Sequence, residues 1–336
     1  MTARTDPGRR MRRGIVFATD ALEPILDLAA QADRAGFDRV WTTEYLHRDA
    51  VARALAIAMR TERIGVGTGI AYAFSRLPLA MAALAADVQR LSGGRFTLGV
   101  SSGTRGVRRW YGAEFDPPAP AMAQYVTALR EAFARDPALA TPPPIHAAVL
   151  NPIMTRTVAA TCDGALLHPL AVGRVHLERR VMPALRRGAQ DRAIPLEVVA
   201  WCITSIDPDE ELARRRARAQ LAFYLSTPSY RTVAEGTAWE EVPALVREAF
   251  EGSDRRPEWS RLGEIVPDAL VDELTLTGTP ESVRDRAAEL SARLAAAGVT
   301  ELVFQTVGVD LGADELTANC TQIIDALGPA TTARTA

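Results

Sequence analysis

The chain has 336 residues, 48% of them hydrophobic and 24% charged, which is ample for a packed core in one large domain or two ordinary ones. A net charge of −2 gives no electrostatic reason to expect nucleic acid or an anionic membrane as a partner. All 39 basic residues are arginine, so Schiff-base lysine chemistry is excluded, and phosphate must be held by arginine or by backbone amides.

Residues 14–18 read as a short buried strand, and 22–35 as an amphipathic helix stopped by Gly36. The basic run at 9–13 is followed only by the short apolar stretch 15–18 before Asp20, too little for the apolar core of an export signal. No segment is long enough to span a bilayer, and the expected location is the cytoplasm. A second strand at 39–42 closes on Thr43-Glu44-Tyr45-Leu46-His47, and a helix follows at 50–60. The third strand ends in Gly67-Thr68-Gly69. An alanine-rich helix at 77–91 is stopped by Ser92-Gly93-Gly94, and 96–100 is the fourth strand. Two short apolar runs joined by a helix describe a parallel crossover. Glycines at the strand ends let backbone amides come close to something flat, a cofactor or a neighbouring helix.

Residues 111–120 are loop-like, with Asp116-Pro117-Pro118 as a breaker, and 121–133 is helical. Thr141-Pro142-Pro143-Pro144 interrupts the chain before a fifth strand at 145–150. A helix opens at Asn151-Pro152, and a sixth strand runs over 164–167. A helix at 173–187 leads to the seventh strand at 196–204. Residues 207–267 are helical and polar, far more than a crossover needs. Thr279-Pro280-Glu281 reads as an N-cap with proline in the first turn, and the eighth strand, 301–305, precedes a helix at 313–327. Eight strands alternating with helices predict an α/β fold, a (β/α)8 TIM barrel, as a single domain over 1–336. It carries a helical insertion (207–267) before the last strand, with flexible ends at 1–13 and 329–336. Cys162, Cys202 and Cys320 are far apart and lack Cys-x-x-Cys spacing, so neither a disulfide framework nor a zinc site is expected.

In such a barrel the reacting groups sit at the carboxyl ends of the strands. Those ends carry Thr19, residues 44–47, 69–74, 101–103 and 150–152, His168, Thr204 and Gln305-Thr306, a polar and aromatic set. His47, Tyr45 and His168 are the acid/base candidates, imidazole being able to move a proton near neutral pH. Tyr72, Phe74 and Tyr224 are candidate substrate contacts. The aromatics of 223–230 either line a substrate wall or pack the insertion onto the barrel. His146 and His176 fall inside a strand and a helix and read as structural.

Gly67-Thr68-Gly69, Arg76 with Pro78, Ser92-Gly93-Gly94-Arg95 and Leu98-Gly99 together resemble the core signature of the luciferase-like flavin and deazaflavin oxidoreductases. Within them the closest resemblance is to the branch that uses coenzyme F420, and it extends over 14–305. The resemblance implies F420 as cofactor, with FMN as the alternative. Hydride would pass between F420 and a small or natural-product-like organic substrate, with reduction of an activated double bond as the expected reaction. The rivals are an FMN-dependent monooxygenase and a non-catalytic barrel that has lost its cofactor. Glu44 would then contact the cofactor ring. Gly69, Ile70 and Ala71 would form a bulge with a cis peptide at Gly69–Ile70, beside Ser101, Ser102 and Gly103.

Leu150, Asn151 and Pro152 stand where the family has a phosphate-binding Gly-Pro-Lys-Met turn. Here Asn151 replaces the glycine and Ile153 the lysine, leaving backbone amides and Arg156. Members acting on sugar phosphates follow the acid with a histidine and the fourth-strand glycine with a glutamate. Tyr45 and Thr104 occupy those places, which argues against that activity. The short arm between 133 and 145 leaves out an excursion common in the family, either opening the mouth to a bulky substrate or marking a plain loop deletion. The helices at 50–60 and 77–91 carry small residues on a second face. Together with the resemblance, this predicts a homodimer packed through them.

Overall fold

A computed structural model describes residues 10–252 and 258–329. The eight expected strands are Arg12–Val16, Arg39–Thr42, Gly65–Thr68, Phe96–Ser101, Ile145–Val149, Gly164–Leu167, Glu197–Ile206 and Glu301–Thr306. Each pairs in parallel with the next. The last closes the ring, running beside the first from Arg12↔Glu301 to Val16↔Gln305 and beside the seventh from Glu301↔Val199 to Thr306↔Thr204. The chain is a (β/α)8 barrel with flanking helices.

Helix boundaries follow local chemistry. Asp49 caps Ala50–Arg60 by accepting from the Ala52 N–H at 2.9 Å. Thr279 caps Pro280–Ala297 through the Ser282 N–H, as the sequence predicts. The helix expected at 121–133 starts earlier, at Pro118, because proline suits a first turn whose N–H groups need no partner. The helix expected at 173–187 passes through a π turn at Leu177–Val181, ahead of Pro183, which has no N–H to continue the α ladder.

Four features depart from the expected organisation. Arg12 and Arg13 belong to the first strand rather than to a flexible end; residues 1–9 and 330–336 lie outside the described residues. The seventh strand reaches Ile206 because its last residues pair with Thr275–Gly278, a strand outside the ring. The insertion therefore runs past 267 through the helix Asp268–Leu274. A short helix, Arg105–Trp110, opens the segment before the loop at 111–117.

Inside the ring lie Val16, Trp41, Leu166, Val199, Trp201 and Val303, with Ile70 packed on top. The amino-terminal end is plugged by charge. Glu301 is fully buried and accepts from the Trp41 indole at 2.7 Å and from Arg39 at 2.9 Å, while His146 lies 2.9 Å from Glu197. A filled interior and a plugged floor leave the carboxyl ends as the open face. Among the described residues no helix is long and apolar enough to cross a membrane, and no group of His, Cys, Asp and Glu side chains could hold a metal ion. The three cysteines are buried and unpaired.

Candidate active site

The third strand ends at Thr68, whose hydroxyl both donates to the Gly99 carbonyl and accepts from its N–H at 2.8 Å. The Gly69 N–H then bonds the Thr42 carbonyl, and the Gly69–Ile70 peptide is cis, as the resemblance implied. A Cβ on Gly69 would stand 2.2 Å from the Trp201 ring, and one on Gly67 would stand 2.6 Å from Trp41. The bulge thus rests on two indoles with no room for a side chain beneath it. Ile70 accepts from the Glu44 N–H at 3.0 Å, and Ala71–Tyr72 pairs with Val100 and Ser101.

Glu44 is buried beside this bulge. Arg76 Nη1 reaches both its carboxylate oxygens, at 2.9 and 3.1 Å, the Ser75 hydroxyl donates to it at 3.2 Å, and Arg76 also bonds Asp49. Burial raises the Glu44 pKa, and the Arg76 guanidinium draws it back. A cavity of about 480 Å³ opens here, lined by Glu44, Tyr45, His47, Asp49, Arg76 and Tyr111 among others. His47 lies exposed at its rim. Tyr45 is half-buried, with Arg48 over its ring and the edge of Trp110 6.4 Å away.

Tyr72 and Phe74 stack at 5.0 Å, and Tyr111 meets both edge-on. Gly103, at φ 58°, passes under Phe74, where a Cβ would come within 2.8 Å of the ring. Its N–H donates to the Ser101 hydroxyl, and Arg108 holds the Ser102 and Gly103 carbonyls. Thr104 caps the short helix that brings Arg108, Trp110 and Tyr111 to the mouth. Sequence reasoning had placed none of these three in the site; the Thr104 cap was the available signal.

Across the ring, His168 sits after the sixth strand with Tyr224 at 4.8 Å and Tyr230 at 4.4 Å between ring centroids. Tyr224 projects from the helix Glu210–Leu225, and its hydroxyl accepts from Gln305 Nε2 at 2.7 Å. The neighbouring Phe223 packs on Trp259 instead. The aromatic run therefore splits, Phe223 packing within the insertion and Tyr224 and Tyr230 meeting His168 after the sixth strand. The acid/base candidates are not one cluster: Tyr45 and His47 share the second-strand loop, and His168 belongs to the opposite wall.

The Leu150 carbonyl faces His176 Nε2 at 3.0 Å, which fits the structural reading of that histidine. The Asn151 side chain is engaged by the insertion, accepting from Thr232 at 2.7 Å and donating to the Ser229 carbonyl. It is not free to bind an anion. The opening of Pro152–Thr161 has no side-chain cap, so its first amides and dipole remain available, while Arg156 is exposed.

A flat ring cofactor fits the bulge, where glycine is required at 69 and 103 and the surroundings are aromatic. The anionic tail of such a cofactor fits the free N–H groups of Ile153 and Met154, Pro152 having none, and not the Asn151 side chain.

Comparison with known proteins gives the family and the fold. The profile of the family described as luciferase-like monooxygenase matches residues 3–298. A 5,10-methylenetetrahydromethanopterin reductase of Archaeoglobus fulgidus is 26% identical over 323 residues, covering 91% of this chain and 95% of that protein. A putative coenzyme F420-dependent oxidoreductase of Mycobacterium tuberculosis is 28% identical over 324 residues, covering 82% of this chain and 89% of that one. The solved structure of a coenzyme F420-dependent tetrahydromethanopterin reductase from Methanopyrus kandleri superposes with a TM-score of 0.75 at 21% identity, over 97% of this chain and 99% of that one. With a profile match over most of its length, the chain belongs to the luciferase-like monooxygenase family.

Proposed function

We propose that the protein is an F420-dependent oxidoreductase of this family, a small-molecule enzyme of the cytoplasm that reduces an activated double bond. One observation carries the reading: the bulge at Gly69-Ile70, with no room for a side chain at position 69, lies on Trp201 and Trp41 and is bonded through the Ile70 carbonyl to the backbone N–H of the buried Glu44. The names of the Archaeoglobus and Mycobacterium relatives support it. The cofactor when bound supplies the hydride. Gly69, Ile70 and Ala71 back its ring, Glu44 and Arg76 fix the edge of the site, and Ser101, Ser102 and Gly103 shape the wall beside it. The amides at the Pro152 helix opening hold its phosphate, next to Leu150 and Asn151. Tyr72, Phe74 and Tyr111 exclude water from the substrate side. The test is equilibrium binding of F420 and of FMN to the purified apoprotein, followed by fluorescence. Saturable FMN binding with oxygen-dependent turnover, and no F420 binding, would assign the chain to the flavin monooxygenases instead.

Glu44→Ala removes the carboxylate that Arg76 grips, leaving a largely buried guanidinium with Asp49 as its remaining counter-charge and the Ser75 hydroxyl as an acceptor. F420 binding or turnover is expected to weaken by at least an order of magnitude through lost positioning. An unchanged dissociation constant and rate would remove Glu44 from the site.

We also propose a homodimer through Ala50–Arg60 and Pro78–Leu91. Ala52, Ala56 and Met59 form one outward stripe, with Met59 65% exposed; Ala80, Ala83, Leu84 and Leu91 form the other, with Leu91 54% exposed. Helix faces turned away from the core need no such residues unless another surface covers them. Light scattering at micromolar concentration should give twice the chain mass, and Met59→Glu with Leu84→Glu should give a folded monomer. A wild-type monomer refutes the assembly.

A further inference from the structure

We infer that Tyr224 and His168 are a pair of neutral hydrogen-bond donors that receive the substrate's carbonyl oxygen, so that the substrate class is a neutral carbonyl compound such as an enone. This rests on the oxidoreductase reading above for its reaction, but not for its geometry.

Both donors have their other valence fixed by the fold. Gln305 Nε2 donates to the Tyr224 oxygen at 2.7 Å, which leaves the hydroxyl hydrogen free to point elsewhere. The Leu170 N–H donates to His168 Nδ1 at 3.2 Å, which puts the ring proton of the neutral imidazole on Nε2. The two rings meet nearly at right angles, 77°, at a centroid distance of 4.8 Å. Gln305 and His168 both stand at carboxyl ends of barrel strands, where substrate must approach. Burial keeps the pair neutral across the working pH range, pushing Tyr224 up to about 12 and His168 down to about 3.

Neutral donors suit an oxygen that is uncharged at the start and gains charge in the transition state. In enone reduction the hydride, supplied by a reduced deazaflavin that is itself oxidised, forms a C–H bond at the β-carbon. The alkene π pair moves between the α-carbon and the carbonyl carbon, and the carbonyl π pair moves onto oxygen. The Tyr224 O–H and the His168 Nε2–H bind that enolate oxygen more tightly than the ketone. A solvent proton at the α-carbon then completes the saturated carbonyl compound.

The test uses the apoprotein with 4-nitrophenol, whose phenolate oxygen stands in for the enolate, and nitrobenzene, which has the same ring without the oxygen. Wild-type protein should bind the phenolate form, read from its absorbance. Tyr224→Phe should weaken phenolate binding by about tenfold or more, the loss of one hydrogen bond to a charged acceptor, with nitrobenzene binding unchanged. Gln305→Leu, which keeps the hydroxyl but frees it, should give a smaller loss confined to the phenolate. Equal loss of both ligands in Tyr224→Phe would mean that the ring merely packs, and would overturn the assignment. So would undiminished phenolate binding, or none in the wild type. F420 titration of the same proteins separates the two readings: no F420 binding with phenolate discrimination intact overturns the cofactor assignment alone.

Discussion

Replacing Gly69 by valine is expected to abolish F420 binding and to cost the fold about 1–3 kcal/mol, the usual range for forcing extra atoms into a filled core. The new Cβ would lie 2.2 and 2.6 Å from two carbons of the Trp201 ring, and Trp201 cannot retreat because Trp41 lies against it at 6.2 Å between centroids. The bulge must lift instead, carrying the Ile70 carbonyl away from the Glu44 N–H. Displacing a positioning element by about 1 Å can cost on the order of 10²-fold. Fluorescence titration with F420 and a urea melt together measure both effects. Gly106→Ala is the control. Its Cβ meets only the Thr104 hydroxyl, at 3.8 Å, within a helix where alanine is favoured, so binding should be unaffected. Wild-type affinity in the valine variant would show that the ring does not lie on this bulge.

The barrel was legible because strands buried on both faces read as short apolar runs, and Gly, Pro and Asn punctuate them. Thr275–Gly278 escaped notice for the converse reason: Thr-Leu-Thr-Gly is short, offers no apolar contrast, and pairs only with an overhang of the seventh strand. At the site, the need was visible but the partner was not. A carboxylate at Glu44, following a buried run, demands a counter-charge. That the partner is Arg76, 32 residues on, depends on how the bulge turns, which no spacing encodes. Asn151 shows the same limit. Its place at a helix opening suggested anion binding, yet the insertion returns from far along the chain to occupy it through Thr232. His168 was found by strand position alone. Its tautomer, its aromatic neighbours and Gln305 come from three separate segments that only the closed ring brings together.

Beneath the two indoles the buried charges set the largest stability effect. Glu301→Leu is expected to lower the free energy of unfolding by about 3–5 kcal/mol, as breaking a buried ion pair from one side does. The Glu301 side chain is fully buried and satisfies the Trp41 indole and Arg39 together, with Arg12 3.5 Å away. Leucine would fill the volume but strand an indole N–H and a guanidinium that is itself only 13% exposed. The double variant Glu301→Leu, Arg39→Met should recover part of the loss, since removing both charges lifts the desolvation cost that the single variant exposes. Shifts in urea midpoint at constant slope measure the changes. Because Trp41 rests on Glu301 and carries the bulge above it, the single variant should also weaken F420 binding, and the double variant less so. A loss below about 1 kcal/mol in Glu301→Leu would mean that water reaches these charges and that the floor of the barrel is not sealed.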